Sequence, residues 1–270
     1  MSNNFSKVIG NKLAISSLKN IINKDKYAPA YLFSGVSGIG KFEAAFIFAC
    51  CLVACHTEIL IIENFEGATS IKIEQMHEMI SWCATKPIIG TRKTVIIDAK
   101  DGLSEKCSNA LLKTLEAPPS GVTIIVVSNS EMLPTINSRC HHIPFNRLTS
   151  SEVSEVLNNL GHTNVNGAII DAAQGSPGKA LQIFNEWDNI STFVEDLSTL
   201  PNSITQALSI STTITKLEYQ SQVVLLQVLT LVWWKQYNVA LLGKATTAMT
   251  CLKAKLNPRA VWDTLLTTNQ

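Results

Sequence analysis

The sequence is short of charge. Only 16% of its 270 residues are Asp, Glu, Lys or Arg, against roughly a quarter in an ordinary soluble domain. Neither sign dominates: 22 basic residues face 21 acidic ones, a net charge of +1. A protein that grips nucleic acid through its own global field is far more basic, so any DNA contact must be local or shared with other subunits. Long apolar runs are missing too. Mean hydropathy is +0.18, yet Phe42–Cys55 is broken by Glu43 and Val223–Trp234 by Gln227. Both fall short of the ~18 unbroken apolar residues of a bilayer span. The opening Met1-Ser2-Asn3-Asn4-Phe5 has no basic region leading into an apolar one, so no secretory leader is expected. The chain reads as soluble and cytoplasmic, with no membrane partner.

No Cys-x-x-Cys pair occurs among the seven cysteines at 50, 51, 55, 83, 107, 140 and 251. They follow no disulfide framework and suit a reducing cytosol. Cys50, Cys51, Cys55 and His56 are close enough to hold a metal. However, Phe46, Ile47, Phe48, Leu52 and Val53 around them read as a buried helix, in which cysteine is a small core residue. No metal site, and zinc in particular, is expected.

What the chain does have is apolar material: 46% of its residues are hydrophobic. That excludes a disordered chain and supports a large core. Over the first 147 residues, β-rich runs at Ala30–Ser34, Glu58–Ile62, Thr94–Asp98, Thr123–Asn129 and His141–Phe145 alternate with helical patterns. The helices are read at Lys41–Ala54, Ser70–Ala84 and Ser104–Glu116, the last with Ser104 as N-cap and Pro118-Pro119 as stop,. Such alternation predicts βαβ units around a buried parallel sheet. After Arg147 only helices are convincing: Ser150–Leu160, Asn166–Ala173, Lys179–Glu186, then longer ones. The breaks fall at Gly161, Gly175–Gly178 and Pro201,.

Directly after the first strand stands Gly35-Val36-Ser37-Gly38-Ile39-Gly40-Lys41-Phe42. It matches the G-x-x-x-x-G-K phosphate loop, whose backbone N–H groups and lysine cradle phosphate oxygens. The next position normally supplies a hydroxyl to Mg²⁺, and Phe42 has no oxygen to offer. A second defect lies at Thr94-Val95-Ile96-Ile97-Asp98-Ala99. Asp98 stands where a strand-end carboxylate helps hold Mg²⁺, although a strand-end Asp also serves simply as a turn residue. ATPases of the AAA+ type follow that Asp with a Glu that activates water. Here the position is Ala99, with Lys100 and Asp101 after it.

These residues together resemble the AAA+ clamp-loader family of bacterial DNA polymerase III, in its delta prime branch. The most specific stretch is Asn109-Ala110-Leu111-Leu112-Lys113-Thr114-Leu115-Glu116-Ala117-Pro118-Pro119. Val127-Ser128-Asn129 follows where the family has its sensor 1 segment. Then comes Leu133–Cys140, ending in the tripeptide Ser138-Arg139-Cys140. Gly175-Ser176-Pro177-Gly178-Lys179-Ala180-Leu181 aligns with sensor 2, where active subunits carry an Arg at the position of Gly178; Lys179 is offset by one. The four-cysteine zinc module of many relatives is deleted between Cys55 and the strand at Glu58.

The resemblance implies a RecA-like AAA+ domain with a five-stranded parallel sheet over 1–147. A helical lid would cover 148–187 and a helical collar 188–270. It implies a stator subunit that helps load the sliding clamp onto primed DNA during replication. The partners would be the gamma/tau and delta subunits, the clamp, and DNA through the assembled complex. ATP and Mg²⁺ would act at neighbouring subunits, and this chain would need no cofactor and show no polymerase and negligible ATPase activity. The phosphate-loop residues Gly35, Gly38, Gly40, Lys41 and Phe42, with Asp98, form the degenerate nucleotide site. Ser128 and Asn129 form sensor 1, and Arg139, between Ser138 and Cys140, is an arginine finger acting in trans. The alternative is an active gamma/tau-type or other AAA+ replication ATPase. For Arg139 alone the plain reading is a surface arginine paired with a carboxylate. Lys235, Lys244, Lys253, Lys255 and Arg259, in a stretch without an acidic residue, read as a solvated helix face. Trp233, Trp234 and Trp262 are expected in helix–helix contacts.

Overall fold

In the computed structural model, residues 5–64, 70–100, 102–199, 201 and 203–267 are described; Asp101 lies outside them. Strands form where apolar residues run without interruption, because a parallel strand is buried on both faces. The elements run α1 (Lys12–Lys24), β1 (Ala30–Ser34), α2 (Lys41–Leu52), β2 (Ile59–Ile62), α3 (Ile73–Ala84), β3 (Lys93–Ala99), α4 (Glu105–Glu116), β4 (Val122–Ser128), α5 (Pro134–Asn137) and β5 (His141–Pro144). Helices α6 (Ser150–Asn159), α7 (Gly167–Ala173), α8 (Pro177–Asp196), α9 (Ile204–Ile214), α10 (Tyr219–Lys235), α11 (Val239–Lys253) and α12 (Pro258–Thr267) follow. All five strands are parallel, in the order β2-β3-β4-β1-β5. The sheet is the one predicted, with strand ends displaced by a residue at most. Helix α1 was not foreseen, and α8 runs ten residues beyond Glu186.

The described residues part into two compact units, one comprising residues up to 161 with 174–178, the other 162–173 with 179 onward. The segment 148–187, expected as a separate lid, is shared between them. In the first unit the sheet carries alternate side chains to two cores. Leu32, Val95, Ile97, Ile124 and Val126 meet Met76, Met79, Cys107 and Leu111 from α3 and α4 on one face. On the other face, Phe48 of α2 stands edge-on to Tyr31 at 5.1 Å, and Phe33 packs on Phe145 at 5.4 Å. Helix α4 begins where Ser104 Oγ accepts from Cys107 N, as its sequence indicates,. Helix α1 starts from Asn11 in the left-handed region, φ 48°. The Asn11 side chain accepts from Asn146 N at 2.6 Å and donates to Asn146 O at 3.2 Å, which ties α1 to the end of β5.

The second unit is built around α10, most of whose length is buried. Trp233 and Trp262 are fully buried with their indole N–H groups satisfied. Trp233 donates to Leu197 O at 2.9 Å and Trp262 to Gln222 Oε1 at 3.0 Å. Trp234 departs from expectation and is 61% exposed. One step along a helix turns a side chain by about 100°, so two adjacent tryptophans cannot share a face. Of the basic set, Lys235 pairs with Asp171 at 2.8 Å, while Lys253, Lys255 and Arg259 are exposed. Among the described residues no helix is long and apolar enough to cross a membrane.

The Gln222–Trp262 bond yields a stability prediction. Gln222 also donates to Leu217 O at 2.9 Å, so Gln222→Leu strands a buried donor and a carbonyl together. We expect a loss of about 1–3 kcal/mol, read as a lower urea midpoint. An unchanged midpoint would show that this bond is not holding α10 to α12.

Candidate functional site: a degenerate phosphate loop

The loop after β1 takes its shape from glycine. Gly35, Gly38 and Gly40 have φ of 148°, 74° and 85°, which side-chain-bearing residues rarely adopt. A Cβ on Gly35 would fall 2.3 Å from Phe145 O. Lys41 opens α2 and is 4% exposed. Its ammonium donates to Gly35 O at 2.8 Å, to Val36 O, and to Asn129 Oδ1 at 2.8 Å. Lys41 and Asn129, the residue expected in sensor 1, lie 88 positions apart in sequence and thus meet. Burial lowers the Lys41 amine to about 8, with the Asp98 carboxylate working in the opposite direction,.

Strand pairing places the other members. The register sets Ser128 of β4 level with Ser34 of β1 and with Ala99 of β3, so the carboxyl ends of three strands lie in one row. Asp98 is 8% exposed, and Lys100 Nζ stands 3.6 Å from its Oδ2. Burial raises the Asp98 carboxyl, against the lowering pull of Lys100. Ser128 Oγ turns away and donates to Ser130 O at 2.7 Å, so Asn129 alone of the sensor 1 pair faces Lys41. Phe42 brings hydrocarbon where a metal would need oxygen, Ala99 is a buried methyl, and two cations, Lys100 and Lys41, already bear on Asp98. A Mg²⁺-bound nucleotide does not fit this donor set.

The sensor 2 segment closes against the loop. Ser176 Oγ donates to Ser37 O at 2.7 Å, and Gly178 N donates to Gly38 O at 2.9 Å. A Cβ on Gly178 would stand 2.8 Å from Gly38 Cα. An arginine at position 178 is therefore incompatible with this packing, and glycine is what lets the two backbones touch.

Arg139 follows the short helix α5. Its Nη2 pairs with Glu116 Oε1 at 3.0 Å, and its Nη1 donates to Thr135 O at 2.9 Å. The carboxylate partner of the plain reading is thus present. Within the tripeptide, Ser138 Oγ donates to Thr135 O at 3.1 Å. Cys140 packs on the sheet core, and burial pushes its thiol up to about 11. Ser138 and Arg139 are both exposed, and Arg139 keeps 36% of its side chain open to solvent. Arg139 and Glu116 lie 23 residues apart, so their pairing has no local signal in the sequence.

Residues 54–149 match the family model described as DNA polymerase III, delta subunit. Residues 151–269 match that of the cyanobacterial DNA polymerase III delta prime C-terminal domain. The chain is similar to DNA polymerase III gamma/tau and delta prime subunits. It is 31% identical to the tau/gamma subunit of Haemophilus influenzae over 173 residues, 57% of this chain and 25% of that protein. It is 29% identical to the delta prime subunit of Pseudomonas aeruginosa over 138 residues, 43% and 42% of the two chains. It thus spans less than half the length of either relative. A Thermotoga maritima protein related to the DNA polymerase III gamma subunit shares the fold at TM-score 0.55 and 19% identity, covering 93% of this chain and 96% of that one. The fold, a five-stranded parallel sheet flanked by helices and followed by a helical region, is the one expected from the sequence.

The buried lysine gives a pH dependence. Between about 8 and 10.5 the unfolded chain holds a proton on Lys41 that the folded chain has lost. Its contribution to folding stability therefore rises with pH across that interval. Chemical denaturation of the wild type and Lys41→Met should show the wild type gaining relative stability from pH 8 to 10. A pH-independent difference contradicts the placement.

Proposed function

We propose that the chain is a delta prime-type stator subunit of a DNA polymerase III clamp loader, helping place the sliding clamp on primed DNA. One contrast carries this reading. The phosphate loop keeps its glycines and lysine but has Phe42 in place of the metal-binding hydroxyl, while Arg139 is presented at the surface. A guanidinium is permanently charged, and its planar fork suits phosphate oxygens as charge develops on them. It needs no working site in its own chain. Arg139 would complete the ATP site of an adjacent gamma/tau-type subunit, where ATP and Mg²⁺ act. This chain itself would require neither nucleotide nor zinc. The other partners are a delta subunit, the clamp, and DNA reached through the assembly. Residues 188–270 supply the collar, whose apolar helical faces would pack with those of other subunits. The setting is the bacterial cytoplasm, where such a complex acts.

The second reading, an active gamma/tau-type ATPase, is favoured by the 31% identity to a tau/gamma subunit. Steady-state assays at high ATP separate the two. The isolated chain should show negligible hydrolysis; turnover abolished by Lys41→Ala would establish the rival. In the reconstituted loader, Arg139→Ala should leave folding and assembly intact, since an exposed ion pair contributes little. It should remove one site's share of turnover, because an arginine finger is worth ~10³–10⁵ in rate at the site it serves. Arg139→Lys should rescue weakly, keeping charge without the fork. Wild-type turnover and loading with Arg139→Ala would return the residue to a plain surface role.

A further inference from the structure

Arg139 is held by its own chain before any partner is considered. Nη1 donates to Thr135 O at 2.9 Å and lies 3.4 Å from Ser138 Oγ, while Nη2 donates to Glu116 Oε1 at 3.0 Å. A guanidinium has five N–H donors in one plane, so these bonds leave donors on Nε and Nη2 uncommitted among the described residues. The two anchors come from different elements. Glu116 is the last residue of α4, which Cys107, Leu111 and Leu115 fix in the core. Thr135 belongs to α5, which is fixed by the fully buried Ile136. A long side chain at the surface would otherwise sample many rotamers. Here it is spanned between two rigid supports, with part of its fork free.

We propose that Glu116 is the positioning residue for Arg139. The inference rests on the finger reading given above. Its carboxylate and the Thr135 carbonyl set the plane of the guanidinium, so that the uncommitted N–H groups meet the γ-phosphate of a nucleoside triphosphate on the neighbouring subunit. A carboxylate near a phosphate also repels it. Glu116 is therefore useful only if orientation outweighs that repulsion, and the two effects predict opposite results when the side chain is removed. Glutamine separates them, since it keeps the acceptor oxygen and deletes the charge.

The test is a double-mutant cycle in the loader reconstituted from full-length subunits. This chain would be supplied as wild type, Glu116→Ala, Glu116→Gln, Arg139→Ala or the Glu116→Ala/Arg139→Ala double variant. Thermal midpoints and co-elution check that each variant folds and assembles. With clamp and primed DNA present, Glu116→Ala should lower kcat for ATP with little change in KM. The drop at the served site should lie within the ~10²-fold that a misplacement of about 1 Å can cost. Glu116→Gln should recover most of it, and the double variant should be no slower than Arg139→Ala alone. Normal or faster turnover in Glu116→Ala, beside an impaired Arg139→Ala, overturns the positioning role and leaves the finger standing. Additive losses in the double variant overturn it as well. Wild-type turnover in Arg139→Ala removes the finger reading and this inference with it.

Discussion

The site depends on the pairing of β4 between β1 and β3. That register brings Ser34, Ser128 and Ala99 level at the carboxyl edge of the sheet, the edge at which open parallel sheets hold ligands. Everything of chemical interest in the first unit hangs from it. The phosphate loop leaves β1 there, Asp98 closes β3 there, and Asn129 follows β4. The register is secured by apolar packing on both faces, since a one-residue slip of β1 would turn Tyr31 and Phe33 to the face that Leu32 now fills,.

At that edge the chain satisfies its own charges. A buried ion must be paired or hydrogen-bonded, and both charges at this site are. Lys41 is taken up by two loop carbonyls and Asn129, and Asp98 faces Lys100. The contact of Gly178 with Gly38 is possible because neither carries a Cβ. The three departures from an ATPase therefore belong to one arrangement. Phe42 and Ala99 offer neither a metal ligand nor a group to activate water, Lys100 and Lys41 bring positive charge to Asp98, and Gly178 permits the close approach. In the proposed reading, the chemistry left to the chain is what it presents outward, through Arg139.

The sheet was legible because burial on both faces writes itself into local sequence as uninterrupted apolar runs. Helix α4 was legible from its cap and its proline stop, and the phosphate loop from glycine spacing. Helix α1 was missed although Ile15 and Leu18 lie on one face, because Asn11 does not cap it with its side chain, which is committed instead to distant Asn146. The exposed Trp234 shows the limit of reading an apolar run without its phase. The pairings that define the site, Lys41 with Asn129, Gly178 with Gly38 and Arg139 with Glu116, join residues well separated along the chain. Residue types at each position were readable, but their partners were not.

We propose that this chain's phosphate loop has lost its metal function and that its contribution to chemistry is made elsewhere. Calorimetric titration of the isolated chain with ATP, with and without Mg²⁺, tests it most directly. Phe42 offers no ligand and Asp98 faces a lysine, so Mg²⁺ should not strengthen whatever affinity for ATP is measured. A Mg²⁺-dependent tightening of ATP binding would contradict the account.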